Sequence, residues 1–319
     1  MPYPQAVLDV AARVRNWGRW GEDDQIGTVN FITDDVMRAA AGCVRSGRRF
    51  SLAFPLQLNG LQTGVIPGRV NPLRTMVSIN ACFTGDRATF CTSDDVVVMG
   101  LQAATHWDGL GHASYDGKIY GGRDAGVITE WGATECGIER IRSLTSRGVL
   151  LDIARLKGVD VLEGAYAIGG DDLSAAATAQ GVEIRSGDVI LVRTGKMALA
   201  KAGDLAGYMG EMVPELGLPA AAGIGLSCAE WFHDHETAAV ATDTITFEVF
   251  PWDPVVPGAL MPMHCLHLVD MGLTQGQNFD LEELAADCAA DGQWDFLLEA
   301  SPQPFVGGVG SPVNPIAIK

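Results

Sequence analysis

The histidines of this chain are the residues best suited to chemistry, and they are clustered. Six occur in 319 residues, as three close pairs with none among the first 105 residues or the last 52. The pairs are His106 with His112, His233 with His235, and His264 with His267. Because imidazole binds metal ions and transfers protons near neutral pH, such clustering is expected if several histidines serve one site.

The first pair has the sharpest pattern. In an extended segment, residues two apart point to the same side, so His106 and Asp108 can converge on one cation. His112 follows Asp108 by four residues, which a short loop or helical turn could bring back to them. Imidazole together with carboxylate suits zinc, manganese or iron(II). The alternative is structural: a hydrogen-bonded His106–Asp108 pair, with His112 at the start of a helix.

The other two pairs have simpler explanations. His233 and His235 fall near the end of a predicted helix, where the helix dipole favours cations, so a surface helix terminus accounts for them. His264 and His267 are three apart on another predicted helix and can share a face. Either could reach a metal, and the other would then be a packed core or interface residue.

Alternating strands and helices are predicted to position these residues. The β-branched run 95–102 leads into His106, which places the site at a strand end or in the following loop. Further strands are predicted at 50–54, 148–153, 188–194, 238–243 and 246–250, and helices at 33–40 with Thr33 as N-cap, 219–234, 257–271, and 280–290 with Asp280 as cap. This order predicts a mixed α/β fold. We expect one domain over residues 1–319, with residues 1–60 as an arm that packs on it or on a neighbouring subunit.

Composition excludes several classes of function. The net charge is −17, which disfavours nucleic acid and anionic membranes as partners, and no apolar run is long enough to cross a bilayer. Seven widely spaced cysteines without a Cys-x-x-Cys pair argue against a disulfide framework and favour a reducing cytoplasm. The chain also lacks a Gly-x-Ser-x-Gly elbow. The glycine-rich stretch 307–312 lacks the P-loop lysine and is predicted to be a turn.

The segment 102–112, followed by Tyr115-Asp116-Gly117-Lys118-Ile119-Tyr120, resembles the putative cyclase family, which includes bacterial kynurenine formamidase and isatin hydrolase. That family has the signature His-x-Gly-Thr-His-x-Asp-x-Pro-x-His. Residues 19–24, 187–195 and 310–315 extend the resemblance along most of the chain and indicate the family's longer branch. The resemblance implies a swivelling β/β/α-type single domain with a mixed sheet, a bound Zn²⁺ or Mn²⁺, and hydrolysis of a cyclic amide, formamide or lactone.

Two departures from the family pattern bear on the metal. His106, Asp108 and His112 match the last three polar positions of the signature, whereas Gln102 stands at its first histidine. The family's downstream histidine and glutamate correspond best to His264 and Gln277. Because two neutral amides replace an imidazole and a carboxylate, we expect one divalent ion per chain instead of two.

The resulting hypothesis is a metal-dependent hydrolase. His106 and Asp108 would hold the ion with help from His264, Gln102 or Gln277, and His112 would be the general base. Trp107, Trp20 and Phe250 are candidate walls for a small-molecule substrate. We also expect a homo-oligomer, either a dimer or a tetramer. The rival functions are a metal-assisted cyclase or dehydratase, and a non-catalytic metal- or small-molecule-binding relic.

Overall fold

A computed structural model describes residues 3–319. Its α-helices are α1 Gln5–Val14, α2 Asp34–Ala41, α3 Ile153–Leu156, α4 Gly170–Gln180, α5 Lys196–Lys201, α6 Leu205–Met209, α7 Cys228–Asp234, α8 Pro262–His264 and α9 Glu282–Asp291. A π-helix spans Cys265–Met271, and 3₁₀ turns span Gly27–Phe31, Tyr120–Gly122, Ala125–Val127 and Ile138–Arg140.

The strands are β1 Arg49–Ser51, β2 Leu73–Cys82, β3 Cys91–Val98, β4 His106–Asp108, β5 Ile128–Thr129, β6 Gly132–Ala133, β7 Thr145–Asp152, β8 Ala167–Ile168, β9 Val189–Arg193, β10 Glu211–Val213, β11 Leu218–Ala220, β12 Gly223–Ile224, β13 Ala239–Thr242, β14 Thr274–Gln277, β15 Asp295–Glu299, β16 Gly310–Pro312 and β17 Ile316–Ile318. Nine of them form one mixed sheet in the order β1-β17-β15-β7-β9-β13-β14-β4-β16. The sheet curls into a half-barrel, which confirms the predicted mixed α/β class.

The centre of this sheet is parallel and apolar. Strands β7, β9, β13 and β14 pair in parallel, and the strands outside them are antiparallel. Both faces of a parallel sheet are covered, so its strands are apolar throughout rather than alternating. Leu150 and Leu151 of β7 accordingly belong to two different hydrophobic cores, one on each face.

The short strand β4 is held on both sides. Gln277 of β14 lies opposite His106 on one edge, and Pro312 of β16 lies opposite it on the other. The region 307–312, predicted to be a turn, therefore contributes a strand to the sheet. That prediction was wrong because the pairing partner is about 200 residues away and leaves no local pattern.

Several predicted elements are confirmed. Helix α2 begins after Thr33, whose side chain accepts a hydrogen bond from the Val36 amide at 3.3 Å. Strands β9 and β13 fall within the predicted ranges 188–194 and 238–243, and β7 overlaps the predicted range 148–153 but starts three residues earlier. Helix α9 starts at Glu282, two residues after the predicted cap.

Other predictions were wrong in extent or type. The predicted helix 219–234 is helical only from Cys228, because its first part forms the short strands β11 and β12. The predicted helix 257–271 begins at Pro262 and widens into the π-helix. Segment 246–250 is not a regular strand: only Glu248 and Phe250 form isolated bridges. A bulky residue with positive φ, Phe247, interrupts it.

The chain before β4 forms a separate two-stranded ribbon. Strands β2 and β3 pair only with each other among the described residues, so the predicted strand before His106 is not part of the main sheet. Cys82 and Cys91 form a disulfide at its tip, contrary to the expectation of no such bond. Val77, Ile79 and Val98 are exposed on the ribbon.

The N-terminal residues pack on the rest of the chain. Helix α1 contacts the π-helix and α7, and β1 is the edge strand beside β17. The division into one domain with an arm at 1–60, and the homo-oligomer, stay predictions. None of the helices described is long and apolar enough to span a membrane.

Candidate metal centre

Strand β4 presents its first and third residues on one face and its second on the other. His106 and Asp108 are fully buried and face the site. Trp107 is also fully buried, but its indole donates to the Ala300 carbonyl at 2.7 Å and its ring packs edge-on against Phe279. Trp107 is therefore a core residue, and the prediction that it forms a wall of the site was wrong.

The backbone fixes the His106 ring. Its Nδ1 lies 2.7 Å from the carbonyl oxygen of Ala104, so Nδ1 carries the proton and donates it. This leaves the lone pair on Nε2, which is buried and has no hydrogen-bond partner. An imidazole held in this tautomer by a backbone carbonyl is the usual arrangement of a metal ligand.

Asp108 lies between two imidazoles. Its Oδ1 is 3.5 Å from Nε2 of His106 and 3.6 Å from Nε2 of His112, and it too has no hydrogen-bond partner. Two ligands of one ion, each bonded at about 2.0–2.2 Å, lie about 3–3.5 Å apart. The distances from Asp108 Oδ1 to the two ring nitrogens are therefore compatible with a shared divalent ion. With the side chains as they stand, no group of three or more His, Cys, Asp or Glu among residues 3–319 is positioned to hold a metal ion.

The second oxygen of Asp108 is held by strand β14. Gln277 donates from Nε2 to Oδ2 at 2.9 Å, and Gln275 approaches the same oxygen at 3.5 Å. The amide nitrogen of Gln277, not its oxygen, faces the carboxylate. In this geometry Gln277 orients Asp108, while its own amide oxygen is buried without a hydrogen-bond partner, so its role as a metal ligand stays a prediction.

The electrostatics favour an ionised Asp108. Burial alone would raise the pKa of its carboxyl group, but the imidazoles of His112 and His106 outweigh burial and hold that pKa well below its usual value. For His112, burial lowers the pKa despite the opposing effect of Asp108. An ionised Asp108 and a neutral His112 imidazole are in the protonation states that a divalent cation requires of such ligands.

His264 comes from a different part of the fold and has its own carboxylate. Its Nδ1 lies 2.5 Å from Oε1 of Glu248, which is itself buried. The same carboxylate accepts the backbone N–H groups of Met263 and His264, both at 2.9 Å. The other ring nitrogen, Nε2, lies 3.2 Å from Nε2 of Gln277, which donates to it. His264 is therefore oriented by a carboxylate on one side and faces the site on the other.

Gln102 lies beside the centre but makes no contact that would assign it to the metal. Gly310 lies opposite Asp108, so a side chain there would share the Asp108 face. The Nε2 atom of Gln102 lies 2.5 Å from the position that a Cβ of Gly310 would take. Its amide thus fills the space left by the glycine.

A cavity of about 270 Å³ opens onto His264 and Gln277. Its apolar wall includes Ile66, Met209, Leu218, Ile245, Phe250 and Met261. Phe250 thus lines the cavity, whereas Trp20 packs elsewhere, against Phe31 and under the Arg19 guanidinium. A larger groove of about 400 Å³, between α1 and the loop 115–118, contacts none of the proposed metal ligands.

The remaining histidines lie outside the centre. His233 pairs with Asp234, and His235 stacks on Trp231 at the end of α7. His267 is fully buried, with both ring nitrogens unpartnered, and packs edge-on against Phe232 and Phe247. It lies close enough to His264 for that ring to contribute to lowering its pKa.

Sequence reasoning missed three polar residues here: Glu248, Gln275 and Arg69. Glu248 could have been noticed as a lone carboxylate within the apolar stretch 245–250. No pattern marked Gln275, which lies opposite Asp108 across the β4–β14 pairing. Arg69 lies in a loop far from any motif, yet it lines the cavity.

Comparisons with known proteins identify the family to which this fold belongs. The family model described as "Putative cyclase" matches residues 50–249. The chain belongs to the putative cyclase family. The crystal structure of a novel cyclase is 36% identical, with a TM-score of 0.84, and the match covers 97% of this chain and 99% of that one. No protein of curated function matches the chain.

More distant solved structures share the fold alone. An isatin hydrolase bound to the product analogue thioisatinate is 17% identical, with a TM-score of 0.60 over 87% of this chain and 93% of that one. A potential metal-dependent hydrolase with cyclase activity is 15% identical, with a TM-score of 0.51 over 85% and 98% of the two chains. Against the cyclase-family signature, the substituted residues Gln102 and Gln277 both lie beside Asp108, at the centre of the site.

Proposed function

We propose that the chain is a metal-dependent hydrolase that opens a cyclic amide or lactone, or cleaves a formamide. One divalent ion, Zn²⁺ or Mn²⁺, is bound by His106, Asp108 and His112. Two imidazoles with one carboxylate and an open position are a frequent ligand set for catalytic zinc.

A single observation carries this proposal. Nε2 of His106 and Oδ1 of Asp108 are buried without any hydrogen-bond partner, and Nε2 of His112 faces the same oxygen. Unpaired buried polar atoms cost free energy, of order 1–3 kcal/mol each, unless something binds them. A shared cation satisfies all three atoms at once.

The family relationship supports the class of reaction. Structures that share this fold include an isatin hydrolase and a potential metal-dependent hydrolase. The reaction proposed for this chain is likewise a hydrolysis.

The geometry favours different roles for two histidines from those expected from the sequence. We had assigned His112 to proton transfer and His264 to the metal. Nε2 of His112 lies 3.6 Å from Asp108 Oδ1, as a second ligand would. His264 is instead paired with Glu248 and lines the cavity. We therefore assign His112 to the metal and His264 to proton transfer.

Bound divalent metal supplies a polarised water and a Lewis acid for the carbonyl group. His264 can accept a proton at Nε2 and deliver it to the leaving nitrogen or oxygen. Glu248 is a positioning residue, since it holds Nδ1–H and stabilises the imidazolium that forms. Gln277 donates hydrogen bonds to Asp108 and to His264 and so holds both side chains in position. The apolar wall excludes bulk water from these groups.

The test uses protein stripped with a chelator and then reloaded with Zn²⁺ or Mn²⁺. Isatin, a six-membered lactone and an N-formyl aniline are the three substrate classes to compare. We expect turnover of at least one class that depends on added metal and is absent from the metal-free protein. Tight metal binding without turnover of any class would favour the non-catalytic alternative, and failure to bind either metal would refute the proposal.

A further inference from the structure

Arg69 lies in a loop that hydrogen bonds close on itself and attach to the segment before β4. We call residues 62–71 the Arg69 loop. It is closed by Gln62 and Asn71: the Gln62 amide donates to Asn71 Oδ1 at 3.0 Å, and Asn71 Nδ2 donates to the Gln62 carbonyl at 2.9 Å. Gln62 Nε2 also donates to the Ala103 carbonyl at 2.9 Å, just before β4. The loop is therefore tied to the strand that carries His106 and Asp108.

The guanidinium of Arg69 is available to a ligand. Arg69 lines the same cavity as His264 and Gln277. Its Nη1 is buried and has no hydrogen-bond partner, and within residues 3–319 no carboxylate pairs with this side chain. A buried cationic donor without a partner is costly, whereas a bound anion would satisfy it.

The charges around the cavity favour an anion. Arginine keeps its charge in proteins, and Asp108 is the carboxylate that acts on Arg69 electrostatically. When Asp108 binds a divalent cation, its negative charge is engaged there. The guanidinium of Arg69 then adds a positive charge to an apolar cavity whose nearby metal site would also be cationic, so an anion is the favoured ligand.

We propose that the cavity selects substrates that carry a carboxylate near the group to be hydrolysed, and that Arg69 binds this carboxylate. The planar guanidinium fork matches a carboxylate with two parallel hydrogen bonds. The assignment of the ligand as a substrate rests on the proposed function; the anion site itself rests only on Arg69 and the cavity.

Binding of benzoate and of its neutral analogue benzamide tests this directly. Both are titrated calorimetrically into the zinc-loaded protein, its Arg69→Gln variant and an Arg87→Gln control. Arg87 is exposed in the turn of the ribbon and does not line the cavity, so the control makes the same change of charge elsewhere. Zinc content and thermal melting are recorded for each variant.

We expect the wild type and Arg87→Gln to bind benzoate at least about tenfold more tightly than benzamide, and Arg69→Gln to lose this preference. Arg69→Lys should retain only part of it, because lysine keeps the charge but loses the fork. An unchanged preference in Arg69→Gln would overturn the proposal, since benzoate would then bind the metal or another group. Absence of any preference in the wild type would overturn it as well.

Kinetics separate this proposal from a second role for Arg69, stabilisation of the reaction's oxyanion. For any hydrolysed compound, a carboxylate form is compared with its methyl ester. Selective loss of kcat/KM for the carboxylate in Arg69→Gln supports carboxylate binding, and an equal fall in kcat for both compounds overturns it. If nothing is hydrolysed but the benzoate preference depends on Arg69, the hydrolase proposal fails while the anion site stands.

Discussion

Glu248 and His264 form a buried pair in which the carboxylate holds both the ring and the backbone of the histidine. Nδ1 of His264 lies 2.5 Å from Glu248 Oε1, and the His264 amide donates to the same oxygen at 2.9 Å. Because the carboxylate accepts at Nδ1, the ring presents Nε2 to the cavity. This relationship distinguishes His264 from His106, whose Nδ1 is held by a neutral carbonyl.

His264→Gln should lower kcat by roughly 100-fold while metal content stays at the wild-type level, because proton transfer is lost but the three ligands remain. Glu248→Gln should lower kcat less and shift the pH–rate profile, since an amide stabilises the imidazolium poorly. Steady-state kinetics and elemental analysis provide the measurements. Loss of metal from His264→Gln would instead return His264 to the ligand role expected from the sequence.

Alanine at His106, Asp108 or His112 should remove the metal. Each substitution deletes one of three ligands, so affinity should fall by about 100-fold or more while the circular dichroism spectrum is retained. Metal content after dialysis is the measurement. His235→Ala is the matched control, because that ring stacks on Trp231 away from the centre. A His112 variant with full metal occupancy would show that the centre has been assembled from the wrong residues.

Metal stoichiometry tests the consequence of having amides beside Asp108. We expect about one ion per wild-type chain. Gln277→Glu would place a second carboxylate where Gln277 Nε2 now lies, 2.9 Å from Asp108 Oδ2. Repulsion should lower the melting temperature of the metal-free variant, and added Zn²⁺ should raise it by more than in the wild type. Gln57→Glu, at an exposed position, makes the same chemical change outside the site. Equal zinc responses in the two variants would contradict the assigned position of Gln277.

Contacts between residues close in sequence could be predicted, whereas contacts between distant segments could not. His106 and Asp108 share a face because β4 is extended, which follows from their spacing alone. Gln275 and Arg69 reach the site only through the tertiary fold, so nothing near them in sequence marks their role. Trp107 was misassigned for the same physical reason that His106 and Asp108 were correctly paired: alternation along β4 sends it into the opposite core.

The buried His267 should make stability depend on pH. Burial, followed by the influence of His264, lowers its pKa to about 3, so the folded protein keeps the ring neutral. The unfolded chain protonates it near its ordinary value of about 6.5 and therefore binds more protons below that pH. Stability should fall as the pH drops, and the part due to His267 should amount to about 2 kcal/mol between pH 7.5 and pH 5.

Urea unfolding at both pH values measures this effect. His267→Gln removes the titrating group and should reduce the difference in unfolding free energy between the two pH values by that amount. His235→Gln, at a half-buried position on the end of α7, serves as the comparison and should behave more like the wild type. If the His267 variant shows the same difference as the wild type, the acid sensitivity arises from other groups.

The disulfide at the ribbon tip reports whether the chain folded under oxidising or reducing conditions. The sequence has seven cysteines, and five of them are free and buried in the structure. Alkylation of denatured protein should therefore add five labels to a chain that formed the Cys82–Cys91 bond and seven to one that did not. Intact-mass spectrometry of protein alkylated at the moment of cell lysis would distinguish these states. A mixture would show that the ribbon tip exists in the cell in both a closed and an open form.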